Sequence, residues 1–174
     1  MRKDRRLCAI CLLVFCIGAA LVGCSDPNEV LFELNKQRID ELSELYSGSQ
    51  RVEHLAPHLS SWEVMVSDWR EHIDQWKTFT SEVYLTFNYE LSALRLMNLY
   101  LHFGLEEEAF RVFIEVVRFR DRTEGFGMEG LSNSQKGLII LDEWRSIEIG
   151  LGRPDWERED SLFKLLEFVR GGFE

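Results

Sequence analysis

The chain has 174 residues, 45% of them hydrophobic, and a formal net charge of −10. A surface this acidic is repelled by phosphate backbones and anionic headgroups, which argues against nucleic acid as a partner and against membrane attachment through a basic patch. The length suits one ordinary domain with a real core.

The first 26 residues differ in character from the rest. Arg2, Lys3, Arg5 and Arg6 form a basic head, Leu7 to Val22 an almost unbroken apolar run, and Leu21-Val22-Gly23-Cys24 leads into Ser25 and Asp26. A charged head, a short apolar middle and a small residue before the cut make an export signal. The run is about 16 residues long, short of the roughly 20 that span a bilayer. Leu21-Val22-Gly23-Cys24 resembles the lipobox of bacterial lipoproteins. The resemblance implies cleavage between Gly23 and Cys24, with residues 1–23 as signal peptide, and acyl chains on Cys24, tethering a single domain of residues 24–174. Each buried methylene adds about 0.8 kcal/mol, so several chains on one residue give lasting anchorage. Asp after the cysteine is associated with inner-membrane retention in enterobacterial lipoproteins. Ser25 here implies the outer membrane, with the domain facing the periplasm.

Removing four basic residues and one acidic residue leaves a domain of net charge −13. Three of the four cysteines, Cys8, Cys11 and Cys16, lie in the signal, and the fourth is Cys24. Cys8-Ala9-Ile10-Cys11 is a redox motif in letters only, because it sits inside the apolar run. The domain has no other cysteine and depends on packing.

Asp26-Pro27-Asn28-Glu29 predicts a helix start, with Asp26 as cap, Pro27 in the first turn and Glu29 completing a capping box. Leu31, Leu34, Ile39, Leu42 and Leu45 mark its stripe, and Ser47-Gly48-Ser49 ends it. This helix therefore begins at the membrane surface. Residues 47–59 read as a connection containing Pro57. Ser60-Ser61-Trp62-Glu63 predicts a second capping box, with Leu59 and Val64 as a hydrophobic staple. Trp62, Val66, Trp69, Ile73 and Trp76 follow at steps of four and three and read as a bundle seam. An aromatic ligand-binding or membrane-contact strip is the alternative.

Thr78 to Ser81 contains no Gly or Pro, so residues 60–103 allow one helix or two. Val83, Phe87, Leu91, Leu94, Asn98 and Leu101 carry a seam on to Phe103, and Gly104 closes it. Glu106-Glu107-Glu108 opens the next helix at the positive end of its dipole, with Arg118, Arg120 and Arg122 at the negative end. Its apolar face is Phe110, Phe113, Ile114, Val117 and Phe119. Leu96, Tyr100, Gly104, Ala109 and Phe113 are spaced as in one tetratricopeptide unit, which they resemble. Val116 stands where a small residue is usual, and no copy occurs about 34 residues to either side. A single unit makes no solenoid, so the match implies a helix hairpin.

Thr123 to Leu131 reads as a loop with Gly125, Gly127 and Gly130. Ser132-Asn133-Ser134-Gln135 predicts a third capping box. Leu138, Leu141, Trp144 and Ile147 or Glu148 trace the helix that follows, ending at Gly150-Leu151-Gly152. Pro154 starts the last helix, whose stripe is Leu162, Leu165, Leu166 and Val169, stopped by Gly171-Gly172. Strand alternation is nowhere comparable. The expected fold is all-α, an antiparallel bundle of five or six helices arranged as hairpins after the N-terminal signal helix.

Candidate chemistry is sparse. His54 and His58 are four apart but flank Pro57, and no third metal ligand is evident. Asp68, Glu71, His72 and Asp74 cluster on the Trp-bearing helix. Trp69 stands where a di-iron Glu-x-x-His would need Glu. There is no nucleophile elbow, phosphate loop or cofactor motif. The expectation is a non-enzymatic, lipid-anchored adaptor or assembly factor that binds another envelope protein. Arg118, Arg120, Arg122, Phe126 and Met128 are the candidate contacts. The alternative is a lipoprotein holding an apolar small molecule between helices, near the Trp seam.

Overall fold

Six helices and one 3₁₀ segment account for nearly all of the residues that the computed structural model describes, which are 26–123, 128–154 and 159–173. They are α1 (Pro27–Gly48), the 3₁₀ segment Val52–His58, α2 (Leu59–Trp76), α3 (Glu82–His102), α4 (Glu106–Arg122), α5 (Asn133–Leu151) and α6 (Glu159–Gly171). No strand occurs among the described residues, and the fold is the expected all-α bundle. Consecutive helices pack as hairpins, and α6 returns to lie against α3. No described helix is long and apolar enough to cross a membrane.

Helix α3 is the centre. Every residue from Ser92 to Leu101 is buried, the mark of a helix enclosed on all sides. Its apolar residues face neighbours all round, and its polar ones must be paired because burying them unpaired is costly. Arg95 meets Glu148 of α5, and Asn98 donates to the Tyr46 hydroxyl at 2.8 Å. Between α1 and α2 lies an aromatic layer. Trp69 meets Trp76 edge-on at 5.2 Å, Phe32 packs on Trp76 at 5.6 Å, and Tyr46 meets Trp62 at 6.0 Å. A second aromatic group joins α4 to the C-terminus, with Phe110 stacked on Phe168 at 4.0 Å.

Several boundaries follow from local chemistry. Ser81 caps α3 by accepting from the Tyr84 N–H. Just before it, the Thr78 hydroxyl donates to the Gln75 carbonyl at 2.9 Å. Such side-chain competition loosens a helix, and residues 60–103 form two helices. The α3–α4 turn is a Schellman motif. The Leu105 N–H reaches the Tyr100 carbonyl, the Gly104 N–H reaches that of Leu101, and Gly104 has φ +76°. Ser132 and Gln135 form the predicted reciprocal capping box of α5.

Three predicted details are corrected. In α1 the buried row is Phe32, Asn35, Ile39, Leu42 and Tyr46, while Leu34 and Leu45 are exposed. Asp26 caps that helix through the Asn28 N–H. The second capping box does not form. Helix α2 starts at Leu59, directly after the 3₁₀ segment, with no side-chain cap. Glu63 instead accepts from the Tyr100 hydroxyl at 2.7 Å, and the proposed staple partner Val64 is exposed. In α3, Val83 and Phe87 are exposed although the seam was expected to bury them. The four residues after Pro154 lie outside the described ones, and α6 is described from Glu159. Within α6, Leu165 and Val169 are buried as expected.

Candidate interaction groove

Helices α3 and α5 both flank α4, and their facing sides do not close on each other. Two ionic links show how they run. Glu90 of α3 and Glu143 of α5 share Arg120 of α4, and Arg95 of α3 pairs with Glu148 of α5. The steps from 90 to 95 and from 143 to 148 are equal, so α3 and α5 ascend in parallel. The two links lie about 7.5 Å apart along the axes, at 1.5 Å per residue.

Below the upper link a cavity of about 190 Å³ opens between the helices. One wall is α3, where Val83, Phe87 and Leu91 form one row and Thr86, Glu90 and Leu94 the next. These are i, i+4 neighbours, which helical geometry stacks along one side. The other wall is Ile140, Trp144 and Ile147 of α5. Val83, 76% exposed, and Phe87 stand at the mouth. The indole N–H of Trp144 is buried and finds no acceptor.

Arg120 is 6% exposed and lines the cavity with its two carboxylates. Its Nε donates to Glu90 Oε1 at 2.8 Å, its Nη2 to Glu90 Oε2, and its Nη1 to Glu143 Oε2. Burial opposes the guanidinium charge, but the hydrogen bonds and charges of Glu90 and Glu143 outweigh it and raise the Arg120 pKa. The three groups together carry one negative charge. Glu143, with its side chain 50% exposed, brings that charge to the surface.

The residues singled out from sequence are dispersed. Arg118 and Arg122 are exposed on the outer side of α4 and line a shallow polar recess with Arg70, Glu115 and Tyr89. Arg120 is two positions from each, so it lies on the opposite side of the helix. It is a buried structural cation, which corrects its reading as a surface contact. Met128 is 5% exposed and belongs to the core, which corrects that reading too. Phe126, Gly23 and Cys24 lie outside the described residues.

Trp62, Trp69 and Trp76 are core, at most 1% exposed, and so form no ligand strip. His54 is exposed. His72 is tied through Nδ1 to the Asp68 carbonyl at 3.0 Å and stacks on Trp76. No group of three or more metal-ligating side chains occurs among the described residues.

The groove went unseen in the sequence because Glu90, Arg95 and Glu143 read as ordinary charges of an acidic protein. One signal was available. Ile140, Trp144 and Glu148 share an i, i+4 row, which places a carboxylate in an apolar stripe. Comparison with protein-family models, curated proteins and solved structures finds no match.

Proposed function

We propose that the protein is a lipid-anchored component of the bacterial envelope, held through acyl chains on Cys24, that acts as a non-enzymatic helical adaptor. Its domain faces the periplasm from the outer membrane and binds another envelope protein in the groove between α3 and α5. The observation that carries this reading is the shape and lining of that groove. Its walls are apolar, its mouth exposes Val83 and Phe87, and its volume is about 190 Å³. Small-molecule pockets run from about 300 to 1,000 Å³. A cavity of about 150 Å³ accommodates one benzene ring. The space fits one bulky side chain of a protein and is too small to enclose a drug-sized ligand.

The lipobox-like segment supports the anchor. Asp26 caps α1 only two residues after Cys24, so the domain stands close to the bilayer. Its net charge of −13 disfavours lying flat on anionic lipid. A neighbouring envelope protein within reach of a short tether is the partner that this geometry suits.

The test is site-specific photo-crosslinking in the native cells. A photoreactive amino acid at position 87 is expected to give a discrete adduct with one envelope protein, and the same group at position 44 is not. Cys24→Ala should remove the acyl mass and weaken the adduct. Equal labelling from positions 87 and 44 would overturn the groove assignment. A full-length, unacylated wild-type protein would overturn the anchor.

A further inference from the structure

The partner's chemistry can be narrowed from the groove's charge. This step rests on the adaptor reading above and is tested so that the two can fail separately. We infer that the groove takes an amphipathic helix bearing one bulky apolar anchor and, about one helical turn away, a lysine or arginine that pairs with Glu143.

Two features of the groove define the occupant. The first is its shape. Val83, Phe87 and Leu91 form an apolar row along α3 about 12 Å long, at 1.5 Å per residue over eight residues. A row of that length, facing a parallel helical wall, matches the way an amphipathic helix lies in a groove with anchors on its apolar face. The cavity of about 190 Å³ admits one such anchor.

The second is charge. Arg120 is shared by two carboxylates, so the cluster keeps one negative charge beside an apolar cavity. Arg120 Nη1 donates to Glu143 Oε2, and that side chain is 50% exposed at the edge. A cation arriving there is attracted in a partly desolvated setting, where charge complementarity sets partner choice. An acidic partner would face that charge and the −13 of the whole domain.

The probes are three fluorescent 14-residue model helices with the same apolar face, built around one phenylalanine, and with lysine, glutamine or glutamate at the polar positions. Binding to the protein purified from its own membranes in mild detergent is followed by anisotropy. The lysine helix should bind at least about tenfold tighter than the glutamine helix, and the glutamate helix weakest. Glu143→Gln should bring the lysine and glutamine helices to within about threefold of each other. The exposed Glu44→Gln on α1, a matched loss of charge, should leave their ratio unchanged. Val83→Ser and Phe87→Ser, both at exposed positions, should weaken all three helices.

Weakening by Val83→Ser with no lysine preference would overturn the cation assignment and leave the adaptor reading standing. A lysine preference that Glu44→Gln reduces as much as Glu143→Gln would overturn it as a general charge effect. Binding of all three helices unaffected by Val83→Ser and Phe87→Ser would overturn the groove, and both readings with it.

Discussion

Replacing Glu148 by glutamine isolates the cost of leaving Arg95 without its counter-charge. Both side chains are 2% exposed. Arg95 Nε donates to Oε1 at 2.7 Å and Nη2 to Oε2 at 3.4 Å. Glu148→Gln preserves shape and one acceptor but removes the negative charge. Breaking a buried ion pair by removing one partner costs about 3–5 kcal/mol. Here the Tyr46 ring lies 4.8 Å from the guanidinium carbon and offers a residual cation–π attraction of about 1–2 kcal/mol. The expected loss is therefore near the lower bound, about 3 kcal/mol. A domain of this size loses about 2–4 °C of Tm per kcal/mol, which gives a fall of about 6–12 °C. The assay is thermal and urea unfolding followed by circular dichroism, with Glu148→Gln, Arg95→Met and the pair Arg95→Met/Glu148→Leu. Each single change should destabilise. The double change should be neutral or better, because well-packed apolar replacements of a buried pair are often neutral to stabilising. A Glu148→Gln loss under about 1 kcal/mol, or a double variant as weak as the sum of the singles, would refute the reasoning.

Three further outcomes follow from the packing. A Cβ added at Gly137 would lie 3.1 Å from Val169 Cγ1 and 3.2 Å from Phe113. The overpacking cost of about 1–3 kcal/mol outweighs the helix-propensity gain of up to about 1 kcal/mol, so thermal unfolding of Gly137→Ala should show a net loss of about 1 kcal/mol. Gly104 has open space around it but φ +76°. Gly104→Ala should cost about 1 kcal/mol from left-handed strain alone, and Gly104→Asn less, in the same assay. Burial, with Glu115 adding to it, raises the Tyr89 pKa to about 12. The unfolded phenol, near 10, ionises first, so stability present below pH 10 falls as pH rises from 10 through 12. Tyr89 contributes about 2–3 kcal/mol to that fall, at 1.36 kcal/mol per pH unit. Urea unfolding at stepped pH should show it, and Tyr89→Phe should flatten it.

Element type was legible wherever a cap, a glycine or a long apolar period agreed. The α5 box at Ser132 and Gln135, the Gly104 stop and the Trp62–Trp69–Trp76 seam stood in the residues themselves. Faces were harder to read. In α1 the buried row runs 32, 35, 39, 42, 46, a regular alternation of three and four, but two of its members are Asn35 and Tyr46. Asn35 is buried because its amide donates to the Leu31 carbonyl and to Asp68, a partner on another helix that no local pattern shows. The leucines at 34 and 45 drew the eye to the wrong side. At Ser60 the local box lost to the preceding 3₁₀ segment, which already carries the chain into α2. The three arginines of α4 were read together, although a separation of two residues turns a side chain by about 200° around the helix. That geometry alone puts Arg120 opposite Arg118 and Arg122. Which carboxylates would meet it depended on the α3–α5 arrangement, a tertiary fact.

That arrangement explains why the groove exists at all. Two apolar helix faces of this kind ordinarily close to 8–10 Å between axes and fill the space with side chains. Here the layer between α3 and α5 holds Arg120 with its two carboxylates, and one and a half turns above it the Arg95–Glu148 pair. Ion pairs of this kind add little net stability over apolar replacements. What they supply is position. Two links with equal spacing on both helices fix the height and the rotation of α5 against α3. They also set a gap that apolar packing alone would close. Val83 and Phe87 then remain exposed because no described residue reaches across to cover them. An apolar mouth, a volume near that of one side chain and a negative rim are thus consequences of the same buried charges. The groove and the cationic partner we propose for it therefore rest on one structural cause.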